Sequence, residues 1–290
     1  MADSIETGTN WWNSARRWIR TGRVETTEAS GPRLGLALGG GFARGIAHVG
    51  VLRAFERANI PVHCIAGVSA GAIVASAFAS GSSSEEIEKV AIKMRFSDVA
   101  RWRFSRRGLM GSDPMRTFLE RLLKVLKFEE MRIPLAVIAS DLTAGAPAVF
   151  RDRGDVVLPI RASCSYPGLF HPVRYMNHCL VDGMISMDVP AAPLRRMGAT
   201  HVVSVALPIP TETVDPKDML SVVTRCFQIL NARTEVQWRR HSNLVITPDV
   251  KDVAWNSFDH AHHLIDAGER AARAVIPQIQ RWFPGESAVA

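Results

Sequence analysis

Between two apolar runs, residues 62–66 and 71–79, the chain reads Gly67-Val68-Ser69-Ala70-Gly71. The first run has the length and side chains of a buried strand, and the second, rich in alanine, those of a helix. A Gly-x-Ser-x-Gly turn joining strand to helix leaves the backbone little choice. The serine stands on a tight elbow, its neighbours must be small, and the helix N-terminus points at whatever reacts there. A second cluster, Gly39-Gly40-Gly41, closes another apolar stretch 28 residues before Ser69. Backbone N–H groups at such a turn can hold the negative oxygen of a tetrahedral intermediate, each donor contributing about 3 kcal/mol. The two turns together predict a nucleophile, Ser69, facing an oxyanion site.

The glycine cluster also opens a helix after a strand, as a dinucleotide-binding turn would. Its last glycine, Gly45, falls one residue too far along, and the next strand ends without the Asp or Glu that would hold a ribose. No Gly-Lys-Ser/Thr phosphate loop is present. Nucleotide binding is therefore disfavoured.

Polar residues 1–31 run into Pro32 through Ser30-Gly31, a linker signal. Beyond them, strands are predicted at 34–38, 62–66, 134–139, 148–150, 179–181, 201–207 and 244–246. Helices are predicted at 45–59, 70–80, 84–94, 114–126, 160–165, 189–197, 219–241 and 259–276. Strand and helix in alternation predict an α/β fold with a mostly parallel sheet covered on both faces. With 290 residues, 47% hydrophobic and 22% charged, the chain can bury one large core. One domain over 32–280 is expected, with 1–31 a flexible or interfacial segment and 281–290 a tail.

Cys64, Cys164, Cys179 and Cys226 form no Cys-x-x-Cys pair, so neither a disulfide framework nor a zinc site is expected, and a reducing compartment fits. No positively charged start leads into an apolar core, which argues against a secretory signal. A cytoplasmic location, peripheral to the inner membrane surface, is the expectation. Residues 62–84 contain no Asp, Glu, Lys or Arg and are long enough to resemble a membrane span. The glycines and serines among them favour strand, elbow and helix instead.

The net charge of +7 is unevenly placed. Within residues 93–107, Lys93, Arg95, Arg101, Arg103, Arg106 and Arg107 face one acid, Asp98, and are interleaved with Met94, Phe96, Trp102 and Phe104. That mixture suits an anionic lipid surface, or a solvated basic loop or helix covering the active site. A basic stretch also suits nucleic acid, but no recognition motif accompanies it and none is expected to bind. Near the start, Trp11, Ala15, Trp18 and Ile19 fall on one helical face with Arg16, Arg17 and Arg20 around the turn, the pattern of an interfacial helix. Nothing in the sequence speaks to oligomeric state.

The run Leu36-Ala37-Leu38-Gly39-Gly40-Gly41-Phe42-Ala43-Arg44-Gly45-Ile46-Ala47-His48-Val49-Gly50-Val51-Leu52, then the serine elbow, then Asp182-Gly183, resembles the bacterial patatin-like phospholipases. Supporting segments are Ser140-Asp141-Leu142-Thr143-Ala144-Gly145, Ala162-Ser163-Cys164-Ser165-Tyr166-Pro167-Gly168-Leu169-Phe170 and Ser257-Phe258-Asp259. The resemblance implies a three-layer α/β/α patatin-like fold and a lipid acyl hydrolase of the esterase, lysophospholipase or phospholipase A type. It implies a Ser–Asp dyad in which Ser69 attacks the ester carbonyl and Asp182 is the general base. Gly67 and Gly71 would be the elbow glycines, Gly183 the turn after the base, and the Gly39, Gly40 and Gly41 backbone with Arg44 the oxyanion site. The substrate would be a lipid or other acyl ester, and no metal or organic cofactor is required.

Two positions depart from the family pattern. Phe42 stands where another glycine is usual, and Met184 where a small residue usually follows Asp-Gly. A side chain at Phe42 resists positive φ and takes up space near the acyl path. Two rivals follow, an acyltransferase using the same acyl-serine and a lipid-binding module without catalysis. A carboxylate with reference pKa about 3.9 is a poor base toward a hydroxyl, so Asp182 must be desolvated or act in concert with attack. Histidine is the competing base. His241, His260, His262 and His263 lie late in the chain but read as surface residues, and His48 reads as a packing or helix-orienting residue.

Overall fold

The computed structural model describes residues 31–105, 108–208 and 215–283. The tryptophan-bearing segment before Ser30, Arg106 and Arg107, and residues 284–290 lie outside the described residues. In chain order the elements are β1 (Leu34–Leu38), α1 (Ala47–Arg57), β2 (Cys64–Val68), α2 (Ala70–Ala79), α3 (Ser84–Ala91), β3 (Arg101–Ser105), β4 (Gly108–Gly111), α4 (Asp113–Leu122), β5 (Leu135–Asp141), β6 (Ala146–Arg151) and α5 (Val157–Ser163). There follow β7 (Val173–Tyr175), β8 (His178–Asp182), α6 (Ala191–Arg196), β9 (His201–Val205), α7 (Met219–Arg239), β10 (Leu244–Ile246), α8 (Ala261–Arg273) and α9 (Ile276–Gln280).

Strands β10, β9, β1, β2 and β5 run parallel in that order. Their side chains alternate between two cores because successive residues of a strand point to opposite faces. Leu34, Leu36 and Leu38 pack with α1, α2, α3 and α8 on one side. Ala37, Ala66, Val68 and Ile138 meet Leu194 of α6 and Trp238 of α7 on the other. Both faces are covered, so the strands read as continuous apolar runs, and the three-layer α/β/α arrangement with a mostly parallel sheet is observed.

The sheet changes character at β5. Strand β2 pairs with β5 from Ile65–Leu135 to Val68–Ile138 and stops. Strand β8, running antiparallel to β5, takes up the chain at the next residue with the pair Asp182–Ala139. Strand β6 holds the other edge of β5 throughout, from Ala136–Arg151 to Asp141–Ala146. Thus β2 and β8 lie along one edge of β5, run toward each other, and end at adjacent residues.

Besides the short strand β7 and helix α9, which were not expected, two regions differ from expectation. Strand β2 extends to Val68, two residues beyond the predicted run, because Gly67 and Val68 continue the ladders with β1 and β5 up to the elbow. The basic stretch is neither a loop nor a single helix. Its first part follows the end of α3 and makes a short helical turn at Phe96–Asp98, and Arg101–Ser105 pairs antiparallel with Gly108–Gly111. Trp102 is exposed on this hairpin, whereas Phe96 turns inward, its ring 6.4 Å from Phe170 and 6.3 Å from Phe258.

Helices α1 and α8 cross in close contact. A Cβ at Gly50 would overlap the Ile265 carbonyl oxygen, and one at Gly268 the Ala47 carbonyl oxygen. Above the crossing, Glu269 receives Arg53 at 2.5 Å and Arg57 at 2.6 Å, and pairs with Arg273. Backbone cannot yield as a flexible side chain would, so Gly268→Ala is expected to cost about 1–3 kcal/mol. Thermal melts should show a Tm drop of several degrees (about 2–4 °C per kcal/mol).

Candidate active site

Ser69 sits between β2 and α2 at φ 53, ψ −126, a conformation that side chains rarely adopt and that costs about 1–3 kcal/mol. Its surroundings hold it there. The Ser69 N–H donates to Ser163 Oγ at 2.8 Å, and Ser163 is fully buried. A Cβ on Gly71 would overlap the carbonyl oxygens of Leu38 and Gly39, and one on Gly67 would come within 2.5 Å of Ala72 Cα. Gly71 lets the start of α2 rest directly on the end of β1, and Gly67 lets the same turn of helix pack against β2. The long apolar stretch seen in the sequence is therefore strand, elbow and helix, and among the described residues no helix is long and apolar enough to cross a membrane.

Asp182 ends β8 and is fully buried. Its Oδ1 accepts the Met184 N–H at 3.0 Å, while Oδ2 has no hydrogen-bond partner of ordinary length. Burial pushes the carboxyl up to about 7; the Met184 N–H and the nearby Ser69 hydroxyl oppose this, and the charge of Asp188 adds to it. The backbone N–H of Asp182 donates to the Ser165 carbonyl at 2.9 Å. The segment 163–165 thus ties down the backbone of Ser69 at one end and that of Asp182 at the other. Between them lies the Cys164 thiol, which burial and the Asp182 charge push well above its ordinary range. A Cβ at Gly183 would overlap the Ile138 carbonyl oxygen, so only glycine lets the chain turn under β5 here.

The glycine loop comes within reach of both. A Cβ on Gly40 would lie 3.6 Å from Ser69 Cβ and 3.8 Å from Asp188 Oδ1. The Gly39 N–H is spent on the Val205 carbonyl at 3.0 Å and that of Gly40 on the Asp188 carbonyl at 3.4 Å. Among the described residues the N–H groups of Gly41 and Phe42 have no acceptor. His48, buried and held down to about 4 by burial, stays neutral and bonds through Nε2 to the Gly39 carbonyl at 2.9 Å. Arg44 Nε donates to the Val253 carbonyl at 2.7 Å, and another of its nitrogens to that of Pro208 at 3.4 Å. Its guanidinium clamps two later loops onto the glycine turn.

Phe42 adopts φ 52, the left-handed conformation that a glycine would take without strain. Its ring packs edge-on against Trp255 at 4.8 Å and Tyr166 at 5.5 Å, contacts that offset the backbone cost. It also divides space. On one side a cavity of about 140 Å³ runs from Gly40, Gly41 and Ser69 past Met184 and Asp188 to Leu220 and Trp255. On the other a cavity of about 50 Å³ reaches from Ser69 among Met94, Phe96, Met115 and Phe170. No histidine lines either cavity, and His260, His262 and His263 are exposed.

Three contributors escaped the sequence reading. Ser163 and Tyr166 lie inside the segment quoted for the resemblance, but nothing in the string says that one holds the elbow and the other the Phe42 ring. Asp188, six residues after Asp182, faces the larger cavity, and burial pushes it to about 7 with the charge of Glu235 adding to the shift.

Burial makes the folded state hold the Asp182 proton more tightly than the unfolded chain, whose value is 3.8 against about 7. Stability is therefore greatest below the unfolded value and declines as pH rises through about 7, by up to about 4 kcal/mol. Asp182→Asn keeps an acceptor for the Met184 N–H without the charge. Its Tm is expected to exceed that of wild type at about pH 8 and to converge with it at about pH 4.

The patatin-like phospholipase family model matches residues 36–195. An uncharacterized NTE family protein of Mycobacterium tuberculosis is 32% identical over 182 residues, covering 62% of this chain and 50% of that protein. Patatin-like phospholipase domain-containing protein 6 of Homo sapiens is 28% identical over 192 residues, 63% of this chain and 14% of its own length. The chain thus spans about half the length of the mycobacterial relative and far less of the human one. Among solved structures, full-length ExoU of Pseudomonas aeruginosa in complex with SpcU matches with a TM-score of 0.49 at 15% identity, over 86% of this chain and 53% of that one. The family match takes in more than half of the sequence and contains the glycine loop, the serine elbow and Asp182 in order: this chain belongs to the patatin-like phospholipase family.

Proposed function

We propose that the protein is a serine acyl hydrolase that cleaves lipid acyl esters, of the esterase, lysophospholipase or phospholipase A type, with Ser69 and Asp182 as its dyad. The observation that carries the reading is the meeting of β2 and β8 at adjacent β5 residues, with a strained serine beside a buried carboxylate at about 7. A base near neutrality suits a hydroxyl better than an ordinary aspartate would. Ser69 Oγ attacks the ester carbonyl as Asp182 Oδ2 takes the hydroxyl proton. The negative oxygen is held by the N–H groups of Gly41 and Phe42, with the Arg44 charge close behind and Gly39 and Gly40 shaping the loop. Asp182 returns the proton to the departing alcohol and leaves an acyl-Ser69 ester. Water then gives a proton to Asp182 as it attacks the acyl carbon, and Asp182 passes that proton to Ser69 Oγ as the acid leaves.

The two departures from the family pattern support catalysis over binding alone. Phe42 keeps the backbone conformation of the glycine it replaces, and Met184 serves Asp182 through its backbone N–H.

Ser69→Ala is expected to abolish ester hydrolysis and to lose the single fluorophosphonate adduct of wild type, read by intact mass. Asp182→Asn should lower kcat by at least about 100-fold, and wild-type kcat/KM should rise with pH through one inflection near 7, following deprotonation of the base. Substantial activity in purified Asp182→Asn would remove the dyad assignment. Phe42→Ala would open the partition between the two cavities that Ser69 borders. Its kcat/KM across an acyl-chain series should shift toward longer chains, and an unchanged profile would mean that Phe42 does not wall the acyl path.

A further inference from the structure

Helix α7 has two faces of different character. One closes the Ser69 cavity: Leu220, Thr224, Gln228 and Asn231 line it. Phe227 packs edge-on against Tyr166 at 5.6 Å, and Thr224 hydrogen-bonds the Tyr166 hydroxyl. At the far end Trp238 is buried in the second core. The opposite face is apolar and open. Met219 is 71% exposed, Ile229 50% and Val236 58%, and Val222 and Leu230 are also exposed. Met219, Val222, Cys226, Ile229 and Val236 recur at helical spacing, so they form one stripe along the axis. From Met219 to Arg239 the helix carries three arginines and one acid: Arg233 is exposed within the stripe, while Glu235, its side chain 43% exposed, pairs with Arg239.

We propose that the outward stripe of α7 seats on an anionic lipid surface, with the helix lying in the interface and delivering lipid to the cavity beneath it. An apolar stripe that itself carries an exposed arginine and no acid matches the boundary between acyl chains and anionic headgroups. Trp255, 40% exposed, lines the cavity together with Leu220 and Thr224 of the helix, and tryptophan favours the boundary between apolar and polar surroundings. A second copy of the chain fits less well. Two such faces would bring the arginines of one against those of the other, in a protein whose net charge is already +7. The proposal rests on the acyl-ester reading only for what enters the cavity; the surface itself stands on exposure and charge.

The test compares the full-length wild type with Val222→Glu/Ile229→Glu. Both positions are exposed and neither lines the cavity. Sedimentation with phosphatidylcholine vesicles containing phosphatidylglycerol, and with phosphatidylcholine alone, reads binding; a water-soluble short-chain ester reads the catalytic centre. Wild type should bind the anionic vesicles preferentially. The double variant should bind them about tenfold more weakly while keeping the wild-type rate on the soluble ester. Equal binding by the two proteins, or none by wild type, overturns the proposal. So does a wild type that is dimeric in solution while the variant is monomeric, since the stripe would then join two copies. A wild type that binds through the stripe but hydrolyses no soluble ester sinks the catalytic reading and leaves the surface assignment intact.

Discussion

The site depends on how one edge of β5 is shared. A parallel strand that stopped at Val68 would ordinarily leave the next β5 residues unpaired, with buried backbone groups lacking partners. Here β8 arrives from the other direction and takes them, beginning with Asp182 opposite Ala139. Two chain segments more than a hundred residues apart in sequence are thereby pointed at each other by ladder hydrogen bonds, without a loop to span the gap. The glycines follow from this crowding. Gly183 must slip under the Ile138 carbonyl, and Gly71 must rest on those of Leu38 and Gly39.

That crowding also sets the electrostatics. Removing water from around Asp182 raises its pKa, and the partners left to it are few: one backbone N–H on Oδ1 and a serine hydroxyl nearby. Asp188 adds its own charge to the same enclosure and pushes Asp182 in the same direction as burial does. Neutral His48 anchors the Gly39 carbonyl and Arg44 the later loops. The basic groups near the glycine turn are thus engaged in holding its shape.

Much of this was legible in the sequence because local chemistry and global position agree there. The β1 and β10 bounds follow from apolar runs flanked by turn residues, and the elbow from glycines whose absent side chains are each required by a neighbour. The hairpin Arg101–Ser105 with Gly108–Gly111 was not read, although Trp102 and Phe104 alternate with Arg101, Arg103 and Ser105 at period 2, because so short an alternation is outweighed by arginines that suit a solvated face. The strand Val173–Tyr175 is too short to announce itself. The parts played by Ser163 and Asp188 depend on distances across the fold, which no spacing along the chain encodes. The glycine loop lies beside Ser69, but which of its N–H groups are unspent follows from Val205 and Asp188 taking two of them.

The bonds that shape the glycine loop reach far forward in the chain: Gly39 to Val205, Ala43 to Trp255, and Arg44 to Val253. As the polypeptide leaves the ribosome, the serine elbow emerges early, yet the loop opposite it cannot take its final form until residues near 255 are free to dock. During synthesis the nascent chain therefore carries an exposed serine with no assembled partner beside it. The order of the chain thus sets an order of assembly, the elbow before the loop that faces it.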